Sequence, residues 1–277
     1  MKKIAVVGCG YVGSAMVELF KNHYDVGVYD PKFENVDHAT RSSSQKILHT
    51  RDAVNSCDAV VVCVPTPMLD DGSCDISIVD ACMAWIDVPL ILLKSTVMPG
   101  TTEALNEKYG RHIVFSPEFC GESSYWTPYA FHTDIKETPF FVFGGQQEYT
   151  SRMVDLFMPV TGPTKRYVQC DSRTAEVAKY MENSFYATKI TICHEFKLMC
   201  DALGVDYNTA REIWLLDPRL NPMHTAVFDK QGNPFSGKCL PKDINAFVRA
   251  SQTAGYQPNL LEEVIASNNR IGKLRSK

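Results

Sequence analysis

The sequence has no apolar run long enough to cross a membrane, which takes roughly twenty residues. Its opening, MKKIAVVGCG, holds one short apolar stretch. That stretch stops at glycines with no small-residue cleavage site, so it reads as a strand and not a signal peptide. No excess of positive charge is present: 28 Lys and Arg stand against 32 Asp and Glu, a net charge of −4. This excludes a general basic field for nucleic acid. Tryptophan is scarce, and Trp85, Trp126 and Trp214 read as packing residues, not a stacking platform. Cysteine is plentiful, at ten residues, but none are spaced Cys-x-x-Cys or set with histidines at zinc spacing. No metal site is therefore expected. So many cysteines without an export signal predict reduced thiols in a cytoplasmic compartment. The default role of each is a small buried hydrophobe. The seven histidines show no pairing, and His194 reads as core or surface.

What is present begins with KKIAVVGCGYVGSAMVELF, a strand, a glycine turn and a helix. Gly8, Gly10 and Gly13 fit the Gly-x-Gly-x-x-Gly pattern. The first allows the tight turn, the second lets backbone approach a pyrophosphate, and the third lets helix pack on strand. A second strand, DVGVYD, ends in Asp30, at the spacing where a carboxylate bonds a ribose 2′-hydroxyl. That carboxylate would repel a 2′-phosphate, so the cofactor expected is NAD. Gly8, Gly10, Tyr11, Val12, Gly13 and Asp30 are its candidate contacts. Apolar strands over 58–65, 89–95 and 112–119 then alternate with helices over 75–86 and 101–110. This alternation predicts an α/β fold with a Rossmann-type, doubly wound parallel sheet over 1–170. Ligands bind such sheets beyond the carboxyl ends of the strands. The residues there are Pro65 and Thr66, then Lys94, Ser95 and Thr96, then Glu118.

Residues 171–277 read as a helical domain. One long helix is expected over 172–204, with Ser172 or Arg173 and Glu176 forming its capped start. Lys179 and Asn183 are four apart on it and share a face. They could line a site or form a solvated surface pair. A second helix covers 205–214, a loop rich in Pro, Asn and Gly follows, and a last helix runs from about Lys242, broken near Gly255 and Pro258. Just before it lies FSGKCLPKDINAF. Cys239 there precedes a helix that opens near Pro241, with Lys238 and Lys242 beside it. A helix N-terminus and nearby lysines both lower a thiol pKa, so Cys239 is a candidate nucleophile. On spacing alone it competes with nine other cysteines.

These motifs occur in a definite order: GCGYVG, VPTP with DGSCDISIV, KSTVMPGTT, SPEF, AEVAKYMENSFYATKITICHEF, DPR and GKCLPKD. In that order the chain resembles the UDP-glucose/GDP-mannose dehydrogenase family, and SPEF is more similar to its UDP-glucose branch. The resemblance implies oxidation of a nucleotide sugar's primary alcohol to a carboxylate, UDP-glucose to UDP-glucuronate, with two NAD⁺. It implies that Cys239 adds to the intermediate aldehyde and ends as a thioester. It implies Asp243 and Lys179 in activating the alcohol, Lys179 and Asn183 at the oxyanion, Glu118 as base for hydrolysis and Thr96 as a positioning hydroxyl. Phe119, Phe235 and Gly237 would join Glu118, Lys179 and Asn183 against the substrate, and Pro65, Thr66 and Thr96 would join the cofactor contacts. Arg219 would reach substrate across a dimer interface, which implies a homodimer built on the long helices.

The sequence also departs from the family pattern. The family's second α/β domain is not expected, because the chain stops at NNRIGKLRSK. Pro234 and Ser236 stand where glycines are usual before the cysteine, and Cys120 and Gly121 replace Leu-Arg after SPEF. The segment between Asp30 and Asp58 is short, and an aromatic loop over 123–134 could cover the substrate. The departures leave two rivals: the same chemistry on another sugar, and an NAD-binding partner protein without turnover.

Overall fold

The computed structural model describes residues 2–33, 46–119, 134–227 and 232–275. Cys120, Gly121, Trp126, most of the aromatic loop and much of the short segment after Asp30 lie outside the described residues.

The first half alternates strand and helix. In chain order come β1 (Lys3–Val7), α1 (Tyr11–Phe20), β2 (Asp25–Tyr29), β3 (Lys46–Ile47), α2 (Arg51–Asn55) and β4 (Ala59–Val62). Then come α3 (Ser77–Met83), β5 (Ile91–Leu93), α4 (Thr101–Tyr109) and β6 (Ile113–Phe115). Next are β7 (Phe140–Gly144), α5 (Gln147–Thr161) and β8 (Arg166–Cys170). The strands form one sheet in the order β3-β2-β1-β4-β5-β6-β7-β8, parallel except where β7 runs against β6. β4 is AVVV and β5 is ILL, every residue buried. Such unbroken apolar strands are what a sheet covered on both faces requires.

The alternation of the pleat sorts these residues into two cores. Ile4, Val6, Val61 and Leu92 pack with Met16 and Phe20 of α1 and Phe157 of α5. Ala5, Val7, Val60, Val62 and Leu93 pack with Val79 and Met83 of α3 and Leu105 of α4. Asp58 fixes the edge of β4 against β1: its carboxylate accepts from the Lys3 N–H at 2.8 Å and its own N–H donates to the Lys3 carbonyl at 2.9 Å. Trp85 packs edge to face on Tyr29, 5.5 Å between centroids.

The second half is helical: α6 (Ser172–Leu203), α7 (Tyr207–Trp214), α8 (Cys239–Thr253) and α9 (Asn259–Arg275). The helix stops at Thr253, Gly255 takes φ 90°, and α9 begins at Asn259, so α8 and α9 are separate, as the sequence predicts. α8 starts at Cys239, earlier than expected, so Pro241 is its third residue. Proline is tolerated there because first-turn N–H groups have no intrahelical partner. The start of α6 differs from expectation too. Asp171 caps it, accepting from the Thr174 N–H at 2.8 Å. Glu176 turns away and closes the start of α4 instead, accepting from the N–H groups of Gly100 (2.6 Å) and Thr102 (2.9 Å) and from the Thr102 hydroxyl (2.6 Å). A local motif cannot reveal this, because the competing donors lie more than seventy residues away. His194 is buried, and burial pushes its imidazole down to about 4.

By contacts the described residues fall into two units. The first holds 2–33, 46–67, 75–119 and 134–179; the second holds 68–74, 180–227 and 232–275. Among the described residues no helix is long and apolar enough to cross a membrane.

Candidate functional site

The first unit's site begins where β1 ends. Gly8 takes φ +89°, and its N–H donates to the Tyr29 carbonyl at 2.9 Å. A Cβ on Gly8 would lie 2.6 Å from the Cys63 carbonyl oxygen. A Cβ on Gly13 would overlap the Gly8 carbonyl oxygen. Both positions need glycine for the fold itself. Gly10 does not: no atom comes within 4 Å of its missing Cβ, and no side chain caps the start of α1 there. The turn thus leaves open space at a helix N-terminus, which favours an anionic phosphate. Asp30 is held beside this turn, accepting from the N–H groups of Cys9 (2.8 Å) and Lys32 (3.0 Å). The cradle and the carboxylate fit NAD: Gly8 to Gly13, with Tyr11 and Val12 in the first helical turn, would hold the phosphates, and Asp30 the ribose.

The loops after β4 and β5 are stitched together. The Thr66 hydroxyl donates to the Thr96 carbonyl at 2.8 Å, and the Ser95 hydroxyl donates to the Val64 carbonyl at 2.7 Å. Pro65 is exposed and Thr96 half-buried. Beside them lies a buried ion pair. Lys94 follows the last residue of β5 with its side chain only 2% exposed; its Nζ lies 3.1 Å from Glu118 Oε2 and donates to the Pro117 carbonyl at 3.1 Å. In the sequence Lys94 stands out only as a polar strand end. The available signal was a charge directly after an apolar strand, where it must find a partner. Lys179 Nζ lies over the Phe119 ring, 5.1 Å from its centroid. The first unit therefore joins Lys94 with Glu118, and Phe119 with Lys179.

The second unit gathers another set. Cys239 is exposed at the first position of α8. Asp243, four residues on, shares its face of the helix and is 1% exposed. Its carboxylate accepts from Lys242 Nζ and from Asn183 Nδ2 of α6, each at 2.5 Å. Asn183 is one helical turn after Lys179 on the same helix, so this is no solvated pair; both residues are buried. The other cysteines differ from Cys239. Burial pushes the Cys63 thiol up to about 12 and that of Cys82 to about 11. None of the nine described cysteines is in a disulfide.

Three expected substrate contacts sit differently. The Phe235 ring is buried with Ala187, Ile244 and Val264, and its N–H donates to Asn268 at 2.9 Å. Gly237 is exposed with φ +84°. Arg219 is exposed and pairs with Asp217 in its own turn, 2.6 Å between Nη2 and Oδ2.

Comparison with known proteins matches two domains of one family to this chain. The NAD binding domain of the UDP-glucose/GDP-mannose dehydrogenase family matches residues 21–161, and the family's central domain matches 173–270. The first match starts after the glycine turn, so that turn stands on its own geometry. UDP-glucose 6-dehydrogenase of Bacillus subtilis is 28% identical over 98% of this chain. UDP-N-acetyl-D-mannosamine dehydrogenase of Methanococcus maripaludis is also 28% identical, over 92%. The chain spans 63% of the length of each. A UDP-glucose dehydrogenase structure from Pyrobaculum islandicum superposes with a TM-score of 0.80 at 26% identity, over 99% of this chain and 68% of that one. NAD is the cofactor of the domain matched first. With one family domain covering half of the chain and a second most of the rest, the protein belongs to the UDP-glucose/GDP-mannose dehydrogenase family.

Proposed function

We propose that the protein is an NAD-dependent UDP-glucose 6-dehydrogenase that oxidises UDP-glucose to UDP-glucuronate in two steps. The observation that carries the reading is the second unit's cluster: an exposed cysteine opening α8, with a buried carboxylate on the same face that is fixed by Lys242 and Asn183. Two NAD⁺, bound one after the other, would each accept one hydride.

Each residue then has a task. Asp243, with Lys179, takes the proton of the alcohol, directly or through a water. The aldehyde formed has no hydride to give until a nucleophile adds to its carbon. The Cys239 sulfur adds, and the carbonyl oxygen becomes a thiohemiacetal oxygen stabilised by Lys179 and Asn183. Loss of the second hydride leaves a thioester on Cys239. Water then attacks the acyl carbon, Glu118 takes the proton of that water, and the thiolate leaves. Thr96 positions the water. Lys94 Nζ, 3.1 Å from Glu118 Oε2, holds that carboxylate in place for this task.

A second reading is favoured by one observation: the relatives that act on UDP-glucose and on UDP-N-acetyl-D-mannosamine are equally similar, at 28%. The same residues would serve either alcohol. For a homodimer the support is an exposed apolar stripe on α6, comprising Met181, Phe185, Ile192, Phe196, Met199 and Leu203.

The test is the number of NADH molecules formed per sugar, measured with purified protein on UDP-glucose and on UDP-N-acetyl-D-mannosamine. Two per UDP-glucose, and at most one after Cys239→Ser, is expected. Turnover on the N-acetyl sugar alone gives the second reading. NAD binding without turnover on any nucleotide sugar returns the chain to the non-catalytic rival.

A further inference from the structure

The loop in front of Cys239 is fastened to the last helix. Phe235 buries its ring between helices, next to Ala187 of α6, Ile244 of α8 and Val264 of α9. Its N–H donates to Asn268 Oδ1 at 2.9 Å, and Asn268 is itself only 3% exposed. Two residues earlier, Asn233 Nδ2 donates to Asn269 Oδ1 at 3.2 Å. Asn233 also fills the space where a side chain on Gly272 would stand. A Cβ there would overlap Asn233 Oδ1 and come within 3.1 Å of the Asn233 Cα. α9 thus offers this loop two amide oxygens and one missing side chain, all on its last three turns.

Three residues separate this fastening from the thiol: Ser236, Gly237 and Lys238. Gly237 has a left-handed φ of +84° and, among the described residues, no atom within 4 Å of its missing Cβ. The anchor at Phe235 is the fastening next before it in the chain. Pro234 and Ser236 fit a loop held this way, because fewer glycines leave fewer competing conformations. A nucleophile displaced by about 1 Å can lose about a hundredfold in rate, so an anchor four residues away matters.

We propose that Asn268 and Gly272 are positioning residues for Cys239, latching the loop before it so that α8 begins at the thiol. The proposal rests on the reading of Cys239 as the nucleophile. Asn268 acts as an acceptor, which an aspartate can replace and a leucine cannot. Gly272 acts by having no Cβ.

The test compares Asn268→Leu, Asn268→Asp and Gly272→Ala in the full chain. One readout is the rate at which iodoacetamide alkylates Cys239 at pH 7, followed by peptide mass; the other is kcat and KM for NADH formation. Asn268→Leu and Gly272→Ala are expected to slow alkylation and lower kcat by about tenfold each. The KM for NAD stays as in the unaltered chain, and Asn268→Asp stays within about twofold on both readouts. The proposal is overturned by unaltered alkylation in both Asn268→Leu and Gly272→Ala, or by an Asn268→Asp chain as impaired as Asn268→Leu. Should Asn268→Leu fail to fold, Gly272→Ala decides alone, since it displaces chiefly one side chain. Cys239→Ser is the separate control: two NADH per sugar surviving that change defeats the nucleophile reading and leaves the alkylation result to judge the latch.

Discussion

The first unit's glycine turn and the second unit's cysteine cluster are built from opposite materials. The turn is made of missing atoms: Gly8 and Gly13 have no room for a Cβ, and Gly10 leaves a space. The cluster is made of side chains that meet: Asn183 from one helix, Asp243 and Lys242 from another. A feature made of absences tolerates almost no addition yet contributes little cohesion. A feature made of buried polar contacts should contribute cohesion and fail when one member is removed. Four substitutions can break or sharpen that contrast.

The largest effect is expected from Asp243→Ala. It strips Lys242 and Asn183 of their acceptor, and a broken buried pair costs about 3 to 5 kcal/mol. Denaturant unfolding measures this, and a loss below about 1 kcal/mol would show that water replaces the carboxylate at little cost. Next is Glu176→Gln. Burial raises the Glu176 carboxyl from 4.5 to about 7, against the three donors that favour its charged form. Its contribution to stability is then complete below pH 4.5 and is lost as the pH rises through about 7. The unaltered chain should lose about 3 kcal/mol of stability relative to Glu176→Gln between pH 4.5 and pH 8. A gap that closes or reverses over that range would mean that the donors outweigh burial.

Gly10→Ala should act on binding alone. Its φ of −83° suits alanine, and the added methyl meets no protein atom. The unfolding midpoint should not move, while NAD dissociation rises at least about tenfold because the methyl occupies the phosphate space. Unchanged NAD affinity in calorimetry would remove the turn from the cofactor site. The smallest effect on stability is expected from Arg219→Ala. The Arg219–Asp217 pair is exposed, so the melting temperature should stay unchanged. A higher KM for the nucleotide sugar at unchanged melting temperature would assign Arg219 to substrate, and an unchanged KM would withdraw it.

The same contrast explains what the sequence made legible. Glycine spacing and apolar periodicity are local, so the strand–turn–helix start, the length of α6 and the break between α8 and α9 could all be read directly. Partners distant in sequence could not. Nothing near Glu176 announces that its acceptors serve Gly100 and Thr102, and nothing near Asn268 announces Phe235. β7, α5 and β8 carry weaker signals: β8 is mostly exposed, and α5 contains Pro159. The roles of Glu118, Lys179, Asn183 and Cys239 came from resemblance. Residue typing alone left Cys239 among ten cysteines and Lys179 on an undecided helix face.

The four residues of β4 carry a last consequence. Val60 and Val62 face one core and Val61 the other, so apolar content alone distinguishes poorly between neighbouring alignments at these three positions. The strand's beginning is more particular: sliding it one way would draw the Asp58 carboxylate into the place of buried Ala59 and away from the Lys3 N–H it now accepts from. A carboxylate at the threshold of an apolar strand thus marks where the strand begins, and with it the place at which Pro65 and Thr66 emerge at the far end.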